Sequence, residues 1–272
     1  MGVLNVTPDS FSDGGLFVEP EAAVARGSAL FEAGADIVDV GGESTRPGGA
    51  PMDPEAEIQR VVPVIAGLRR RGPGLVSVDT TKVTVAAAAL DAGADLVNDV
   101  SGFAFDPGLA RLVASRGVPA VLMHLRGDFT SMHRDPSYAD VMAEVIAELG
   151  QAVGRAESAG VPRAQVIVDP GIGFSKAAPH SLEVIRRLSE LSVLDRPVLA
   201  GPSRKSFIGR VLDLPVGERL MGTAAAVAAC VLGGAHIVRV HDVAHMADVA
   251  RVADLIRDAR ARAWQRGCTS PS

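Results

Sequence analysis

The feature that most constrains this chain is a regular alternation of short β-branched runs with longer segments of helical period. The candidate strands are residues 3–6, 37–40, 75–78, 96–97, 120–123, 166–168, 198–200 and 237–240. The candidate helices are residues 21–33, 55–70, 83–92, 107–116, 138–159, 182–191, 218–232 and 247–262. Continuous apolar strands joined by helical crossovers form parallel sheets, and eight such units close most simply into a single (β/α)₈ (TIM) barrel.

An open, doubly wound α/β sheet is the alternative fold, but the chain has no glycine-rich dinucleotide fingerprint. Its 272 residues, 47% of them hydrophobic, are enough for one large core. We therefore predict one barrel domain over residues 1–266 and a mobile polar tail over residues 267–272. Glycines just after predicted helices are expected to end them in the left-handed conformation: Gly34, Gly93, Gly117, Gly160 and Gly234.

Charge and cysteine content exclude several classes of protein. The net charge of −5 comes without a basic block, so no nucleic-acid partner is expected. Cys230 and Cys268 are far apart and lack metal-ligand spacing, which favours a reducing, cytoplasmic location. No apolar stretch reaches about 18 residues, so no membrane partner is expected either.

Polar residues follow all eight predicted strands. In a barrel of this kind the carboxyl ends of the strands form the active-site face. Each such residue alone could be an ordinary turn former or helix cap, but eight coincident strand ends are hard to explain by capping. The residues at these ends include Asn5, Asp39, Asp79, Asn98, Asp99, His124, Asp169, Lys205, Arg239 and His241.

Two of these strand ends indicate specific chemistry. Lys205 follows a buried strand, so its ammonium needs anions such as Asp79 and Asp169, or it must lose its charge. Arg239 and His241 stand two positions apart on a strand, so both side chains point to the same side. Two such donors together suit the binding of an anion such as a phosphate group.

A series of short motifs runs along the chain over roughly residues 2–250. The opening run GVLNVTPDSFSDGG at residues 2–15 strongly resembles the first signature of the dihydropteroate synthases, and residues 41–48 resemble the second. Further matches are SVDT at 77–80, NDVSG at 98–102, DPGIGF at 169–174, SRKS at 203–206 and RVHDV at 239–243. Each piece alone is weak evidence, but the set is highly specific.

The resemblance implies a transferase that joins a pterin methyl diphosphate to 4-aminobenzoate with Mg²⁺, as a homodimer. Asp79, Asn98, Asp169 and Lys205 match the pterin pocket. Asn5, Arg239 and His241 match the diphosphate site, where Asn5 is also the magnesium ligand, and Val240 lies within the same substrate-binding motif. Positions that match the 4-aminobenzoate site are Thr45, Arg46, Pro47, Phe174 and Ser206. Asp79, Lys205, Arg239 and His241 are the expected catalytic residues, and Arg239 is expected to serve the diphosphate without affecting the pterin ring.

Three other functions remain open at this stage. A pterin-binding methyltransferase would lack the Asn5-to-Gly15 loop, the Thr45-Arg46-Pro47 loop and the Ser-Arg-Lys segment. A non-catalytic homologue would lose Lys205, Arg46 or the Asn5-to-Gly15 loop. A Schiff-base aldolase would use Lys205 as its nucleophile. The chain also departs from the family after Phe174, where the usual Gly-Lys-Thr is Ser175-Lys176-Ala177 and His-Asn is His180-Ser181, and Pro202 replaces a small or aliphatic residue.

Overall fold

Eight parallel strands close into a ring in the computed structural model, which describes residues 1–7, 20–43, 52–72, 74–129, 131–132 and 137–258. The strands are β1 Gly2–Asn5, β2 Ile37–Gly41, β3 Leu75–Asp79, β4 Leu96–Asp99, β5 Ala120–Met123, β6 Val166–Asp169, β7 Leu199–Ala200 and β8 Ile237–Val238. Strands β1 to β6 pair in sequence order, and β7 pairs with β8. Bridges from Val168 to Val198 and from Gly2 to Val240 complete the ring. The predicted barrel is confirmed.

Helices follow the strands as the sequence pattern predicts. They are α1 Pro20–Glu32, α2 Pro54–Arg71, α3 Val83–Asp91, α4 Pro107–Arg116, α5 Val141–Ser158, α6 Ala178–Arg186, α7 Ser206–Leu212, α8 Leu220–Leu232 and α9 Val243–Arg257. Helix α5 begins later than predicted because the Asp140 carboxylate accepts the amides of Met142 and Ala143 as an N-cap. Helix α7 was not predicted, because seven residues are too few for a clear helical period.

The glycine joints between helices and strands adopt the predicted conformation. A positive φ places the backbone in a region that side chains with a Cβ rarely enter. The φ angles are 100° at Gly34, 107° at Gly93, 63° at Gly117, 96° at Gly160 and 100° at Gly234. These glycines therefore end the helices in the left-handed region, as expected.

The barrel interior changes from apolar to polar along its axis. One apolar cluster fills the end where the strands begin: Met1, Ile37, Leu96, Val121, Ile167, Leu199 and Ile237. Side chains two positions further along a strand face the same side, so the next interior layer is largely polar. Asp39, Asn98, Asp169 and Arg239 stand at these positions, which directs them into the barrel mouth. A second, larger core lies between the strands and the surrounding helices.

Over the described ranges, no helix is both long and apolar enough to cross a bilayer.

The packing of α1 on α2 depends on the missing side chain of Gly67. A Cβ there would lie 2.4 Å from Cγ2 of Val24, whereas a Cβ at Gly154 of α5 would meet nothing within 4 Å. We expect Gly67→Ala to lower the free energy of unfolding by about 1 to 3 kcal/mol through overpacking. Gly154→Ala, the matched control, is expected to raise it by about 0.5 to 1 kcal/mol through helix propensity. Denaturant unfolding of both variants measures the difference, and equal effects would contradict this account of the α1–α2 contact.

Candidate active site

Arg239 is the central cation of the barrel mouth. Its Nε donates to Oδ2 of Asp39 at 2.7 Å and its Nη2 donates to Oδ2 of Asp79 at 2.8 Å. Burial raises the pKa of the Asp79 carboxyl above its ordinary value and the neighbouring Asp39 carboxylate raises it further, while Arg239 opposes both effects. One guanidinium therefore links β2, β3 and the end of β8 across the barrel.

Asp39 belongs to this site, although the sequence analysis gave it no role beyond its place at a strand end. Its side chain is fully buried, and Oδ2 also accepts Nδ2 of Asn98 at 2.9 Å. Oδ1 is buried without a hydrogen-bond partner among the described residues. A buried acceptor without a donor is costly, so a ligand N–H is a natural partner for it. The signal in the sequence was Asp39 two positions after Ile37, which puts both side chains in the interior.

Asp169 ends β6 and presents a second acceptor. Its Oδ1 accepts the amide of Gly171 at 2.7 Å, and no described residue donates to Oδ2. Burial raises the pKa of this carboxyl, while the cations Lys205, Arg239 and Lys176 lower it. The carboxylate can therefore accept donors from a bound molecule through Oδ2.

Lys205 extends from the end of the β7 loop over an aromatic ring. Its Nζ lies 3.7 Å from the centroid of Phe174, a cation–π geometry. Burial lowers the pKa of the ammonium to about 7, and Arg239 lowers it further, whereas Asp169 and Asp79 act in the opposite direction. The predicted carboxylates thus act on Lys205 through their charge, and the ring of Phe174 makes the close contact.

Positive charges converge at His241. The Ser203 hydroxyl accepts the His241 amide at 3.2 Å and lies 3.0 Å from Nδ1. In the tautomer in which this hydroxyl donates to Nδ1, the Nε2–H is left for a ligand. Burial lowers the pKa of His241 to about 4, and Arg239, Arg204 and Lys205 lower it further. A neutral imidazole N–H donor among cations suits an anion.

Asn5 and Val240 lie where β1 meets the end of β8. Asn5 is half-buried at the carboxyl end of β1, and Val3 donates its amide to the Val240 carbonyl at 3.0 Å. The Val240 side chain is buried in the core, while the preceding Arg239 extends into the mouth. Asn5 therefore stands on the strand next to His241.

The remaining predicted positions are distributed around the mouth or lie outside it. Ser206 begins α7 directly after Lys205. Asp99 caps a turn instead, because its carboxylate accepts the amides of Ser101 and Phe103. Thr45, Arg46 and Pro47 lie outside the described residues.

The departure from the family at Ser175 has a visible consequence. Its φ of 43° lies in the left-handed region that favours glycine. Two contacts hold the serine there: its hydroxyl accepts the Arg126 amide at 3.0 Å, and its carbonyl accepts the Tyr138 hydroxyl at 2.8 Å. The loop after β6 thus keeps a glycine-like turn with a serine.

Comparison with known proteins agrees with this geometry. Residues 1–241 match the profile of a family described as pterin binding enzyme. The dihydropteroate synthase of Synechocystis sp. is 45% identical over 257 residues, which cover 94% of this chain and 89% of that protein. A crystal structure of Yersinia pestis dihydropteroate synthase with a sulfonamide drug complex has a TM-score of 0.89 at 38% identity, covering 94% of this chain and 93% of that chain. Xanthomonas albilineans dihydropteroate synthase with 4-aminobenzoic acid has a TM-score of 0.87 at 42% identity, covering 100% and 93% respectively.

The charges around His241 predict how it responds to an anion. Because Arg239, Arg204 and Lys205 disfavour the imidazolium, a bound anion should favour it and raise the pKa of His241 above about 4. NMR titration of the His241 ring with and without inorganic pyrophosphate measures this change, with chloride at equal ionic strength as the control. An unchanged or lower pKa with pyrophosphate bound would place the anion away from His241.

Proposed function

This chain belongs to the family of pterin-binding enzymes, and we propose from that premise that it catalyses the dihydropteroate synthase reaction. The reaction transfers a pterinylmethyl group from (7,8-dihydropterin-6-yl)methyl diphosphate to 4-aminobenzoate and releases diphosphate. The observation that carries the proposal is the barrel mouth itself. Buried acceptors on Asp39 and Asp169 lie beside the cationic corner of Arg239 and His241, so one molecule with a donor-rich ring and a diphosphate group can satisfy both.

The pterin ring fits the acceptor half of the mouth. Its amino and ring N–H groups form a guanidine-like edge, which a carboxylate such as Asp169 can receive through parallel hydrogen bonds. Nδ2 of Asn98 already donates a hydrogen bond to Asp39, so the amide oxygen of Asn98 is left to accept a hydrogen bond from the pterin ring. Lys205 donates to the ring's acceptor atoms from its position over Phe174.

The diphosphate fits the cationic half. His241 offers its Nε2–H, and Arg239 has donors beyond the Nε and Nη2 hydrogens that it gives to Asp39 and Asp79. These groups stabilise the charge that grows on the diphosphate oxygen as the carbon–oxygen bond breaks. The carboxylate of Asp79 stabilises the cationic methylene that remains. The arylamine nitrogen then attacks that carbon and gives up one proton to water or to the released diphosphate, so no covalent enzyme intermediate is required.

A magnesium ion is part of the proposal, and the residues of the mouth are compatible with it. Within the described ranges, no three His, Cys, Asp or Glu side chains cluster as a metal cage. Mg²⁺ does not need one, since it usually binds through one or two protein oxygens together with substrate phosphates and water. The amide oxygen of Asn5 would be the protein ligand, and the bound ion would neutralise charge on the leaving diphosphate.

The neighbourhood of Lys205 and Ser206 is proposed as the floor of the 4-aminobenzoate site. The Phe174 ring offers an aromatic face and Lys205 a cation beside it, which together suit a flat molecule with a carboxylate. Ser206 follows at the start of α7 and adds a hydroxyl group. Thr45, Arg46 and Pro47 are proposed as the other wall of this site on the resemblance alone.

A homodimer is proposed with α8 and α9 in its interface. Exposed apolar side chains stand on these two adjacent helices, with Met221 77%, Val252 57% and Ile256 63% exposed. Exposed apolar side chains on two adjacent helices support burial against another subunit. The cytosolic location stays a prediction.

The proposed reaction predicts that diphosphate release requires two substrates. We expect purified protein with Mg²⁺ to release diphosphate only when both the pterin diphosphate and 4-aminobenzoate are present, with formation of 7,8-dihydropteroate. A coupled pyrophosphate assay together with chromatographic detection of the product measures both. Release without the arylamine, or borohydride trapping of a carbonyl substrate on Lys205, would contradict the proposal and favour a hydrolase or a Schiff-base enzyme.

The pairing of Arg239 predicts that its loss affects both halves of the site. In Arg239→Ala we expect the catalytic rate to fall about 10²- to 10³-fold, as when an oxyanion donor is lost, and pyrophosphate binding to weaken. Pterin binding should weaken too, because Asp39 and Asp79 lose their shared cation. The resemblance alone predicts instead that the pterin affinity stays unchanged.

Calorimetry with inorganic pyrophosphate and with 6-hydroxymethylpterin separates the two affinities of the Arg239→Ala variant. Arg257→Ala is the control, because Arg257 donates to the carbonyls of Val231 and Ala235 at the opposite end of the barrel. Its loss should leave both affinities unchanged. Normal pterin affinity in Arg239→Ala would contradict this prediction and would show that Arg239 serves the diphosphate half of the site alone.

A further inference from the structure

Lys176 is a buried lysine that the reaction described above does not use. It follows the β6 loop and is only 7% exposed. Its Nζ lies 2.7 Å from Nδ1 of His124 and donates to the carbonyl of Phe174 at 3.2 Å. An ammonium is rarely buried to this extent without a compensating role, because desolvation disfavours its charge.

The neighbours of Lys176 determine the direction of its hydrogen bond with His124. The Nε2 of His124 lies 3.1 Å from Oε2 of Glu148, and the Glu148 carboxylate also accepts Nε of Arg126. A carboxylate can only accept, so His124 donates from Nε2, and Nδ1 is left to accept from Lys176. Burial lowers the pKa of His124 far below its ordinary value, and Lys176 and Arg126 lower it further, so the imidazole stays neutral. His124 is therefore an anchor for Lys176 and not a competing cation.

On the other side, Lys176 holds the loop that shapes the pterin pocket. Through the Phe174 carbonyl it fixes the residue whose ring lies under Nζ of Lys205. The loop passes so close that a Cβ on Gly171 would lie 2.1 Å from the His124 carbonyl oxygen and 3.4 Å from Nζ of Lys176. The amide of Gly171 in turn donates to Asp169. Lys176 thus lies directly behind the loop that sets both Phe174 and Asp169.

Charge balance gives Lys176 a second role. Among the described residues, Arg239 forms ion pairs with the mouth carboxylates Asp39 and Asp79, whereas no cation forms an ion pair with Asp169. The charge of Lys176 favours the ionised form of Asp169, and Asp169 favours the charged form of Lys176. The groups that face Asp169 are Lys176 after β6, Lys205 after β7 and Arg239 after β8. Those facing Lys176 also include Arg126 beyond β5 and Glu148 of α5.

We propose that Lys176 is a positioning residue of the pterin pocket, which fixes the Phe174 carbonyl and keeps the Asp169 carboxylate ionised through its charge. This inference rests on the proposed function, since it takes Asp169 as an acceptor for the pterin ring. Lys176 acts through Phe174 and Asp169 and does not itself touch the substrate. The pair Lys176 and His124 therefore determines how far into acid the pocket keeps its affinity for pterin.

Two variants separate the charge of Lys176 from its hydrogen bond. Lys176→Met removes both, while Lys176→Gln keeps a donor for the Phe174 carbonyl without the charge. Without the charge the pKa of Asp169 rises, so its carboxylate is protonated at a higher pH and loses its ability to accept. In both variants we expect the acid limit of 6-hydroxymethylpterin binding to move up by about one pH unit, so that the dissociation constant measured below that limit rises about tenfold. At higher pH, where Asp169 is ionised in every form, Lys176→Gln should recover more affinity than Lys176→Met.

Arg69→Met is the matched control. Arg69 is a partly buried cation that donates to the carbonyls of Gly93 and Gly74 at the opposite end of the barrel. Its loss is expected to lower stability but to leave the pterin affinity and its pH profile unchanged. Wild-type affinity and pH dependence in both Lys176 variants would overturn the proposal, and so would an equal loss in Arg69→Met.

The binding measurement keeps this proposal apart from the proposed reaction. If the wild-type protein binds 6-hydroxymethylpterin but releases no diphosphate, the reaction is refuted while the comparison of variants still tests Lys176. Should the Lys176 variants fail to fold, ¹⁵N NMR of His124 in the wild-type protein provides a second test. An unprotonated Nδ1 and a protonated Nε2 throughout the titration are expected, and a protonated Nδ1 would remove the anchor and overturn the proposal.

Discussion

The two ion pairs of Arg239 hold the barrel mouth in its observed arrangement. Asp39 and Asp79 come from neighbouring strands, and their carboxylates would repel one another inside the barrel without a shared cation. The planar guanidinium can donate to both at once and still keep donors for a ligand, which a lysine could not do with the same geometry. The polar layer of the interior therefore depends on this one side chain.

The apolar parts of the barrel supply the stability that this polar layer requires. An apolar cluster from the starting ends of the strands fills the lower interior, and a larger core joins the sheet to its helices. Burial on that scale stabilises the fold enough to offset the cost of an unpartnered Oδ1 on Asp39. Polar groups are thus concentrated at the end of the barrel where the loops, and not the core, determine the structure.

Much of this was readable from local sequence. Eight β-branched runs located the strands, and glycine after each of five helices located the joints. A further signal, not used in that prediction, lies in pairs such as Ile37 with Asp39 and Ile167 with Asp169, whose spacing of two places both side chains in the interior. The sequence could not show that Asp99 has a structural role while its neighbour Asn98 belongs to the site, because a strand-end carboxylate can equally cap a turn. The contacts of Asp99 with Ser101 and Phe103 show that it caps a turn.

The pairing of Arg239 could not be read from local pattern, because its partners lie 200 and 160 residues away in sequence. The same holds for Lys176 and His124, which come from different strand ends and meet only in the closed barrel. Local patterns specify which residues are buried, whereas the partner of a buried charge follows from the order of the strands.

The order of the strands also explains why the ionisable groups of the mouth affect one another's pKa values. Burial lowers the pKa values of Lys205 and Lys176 to about 7 and raises that of Asp169, so each group is displaced toward its neutral form. Groups in this condition respond strongly to a neighbour's charge, because the charged and neutral forms lie close in free energy. A ligand that brings ring donors to Asp169 and acceptor atoms to Lys205 stabilises the charged forms of these two groups, while Lys176 acts from behind the loop. The closed ring of strands fixes the strand ends that carry Asp169, Lys205 and Arg239, so such a ligand meets binding groups that are already in place.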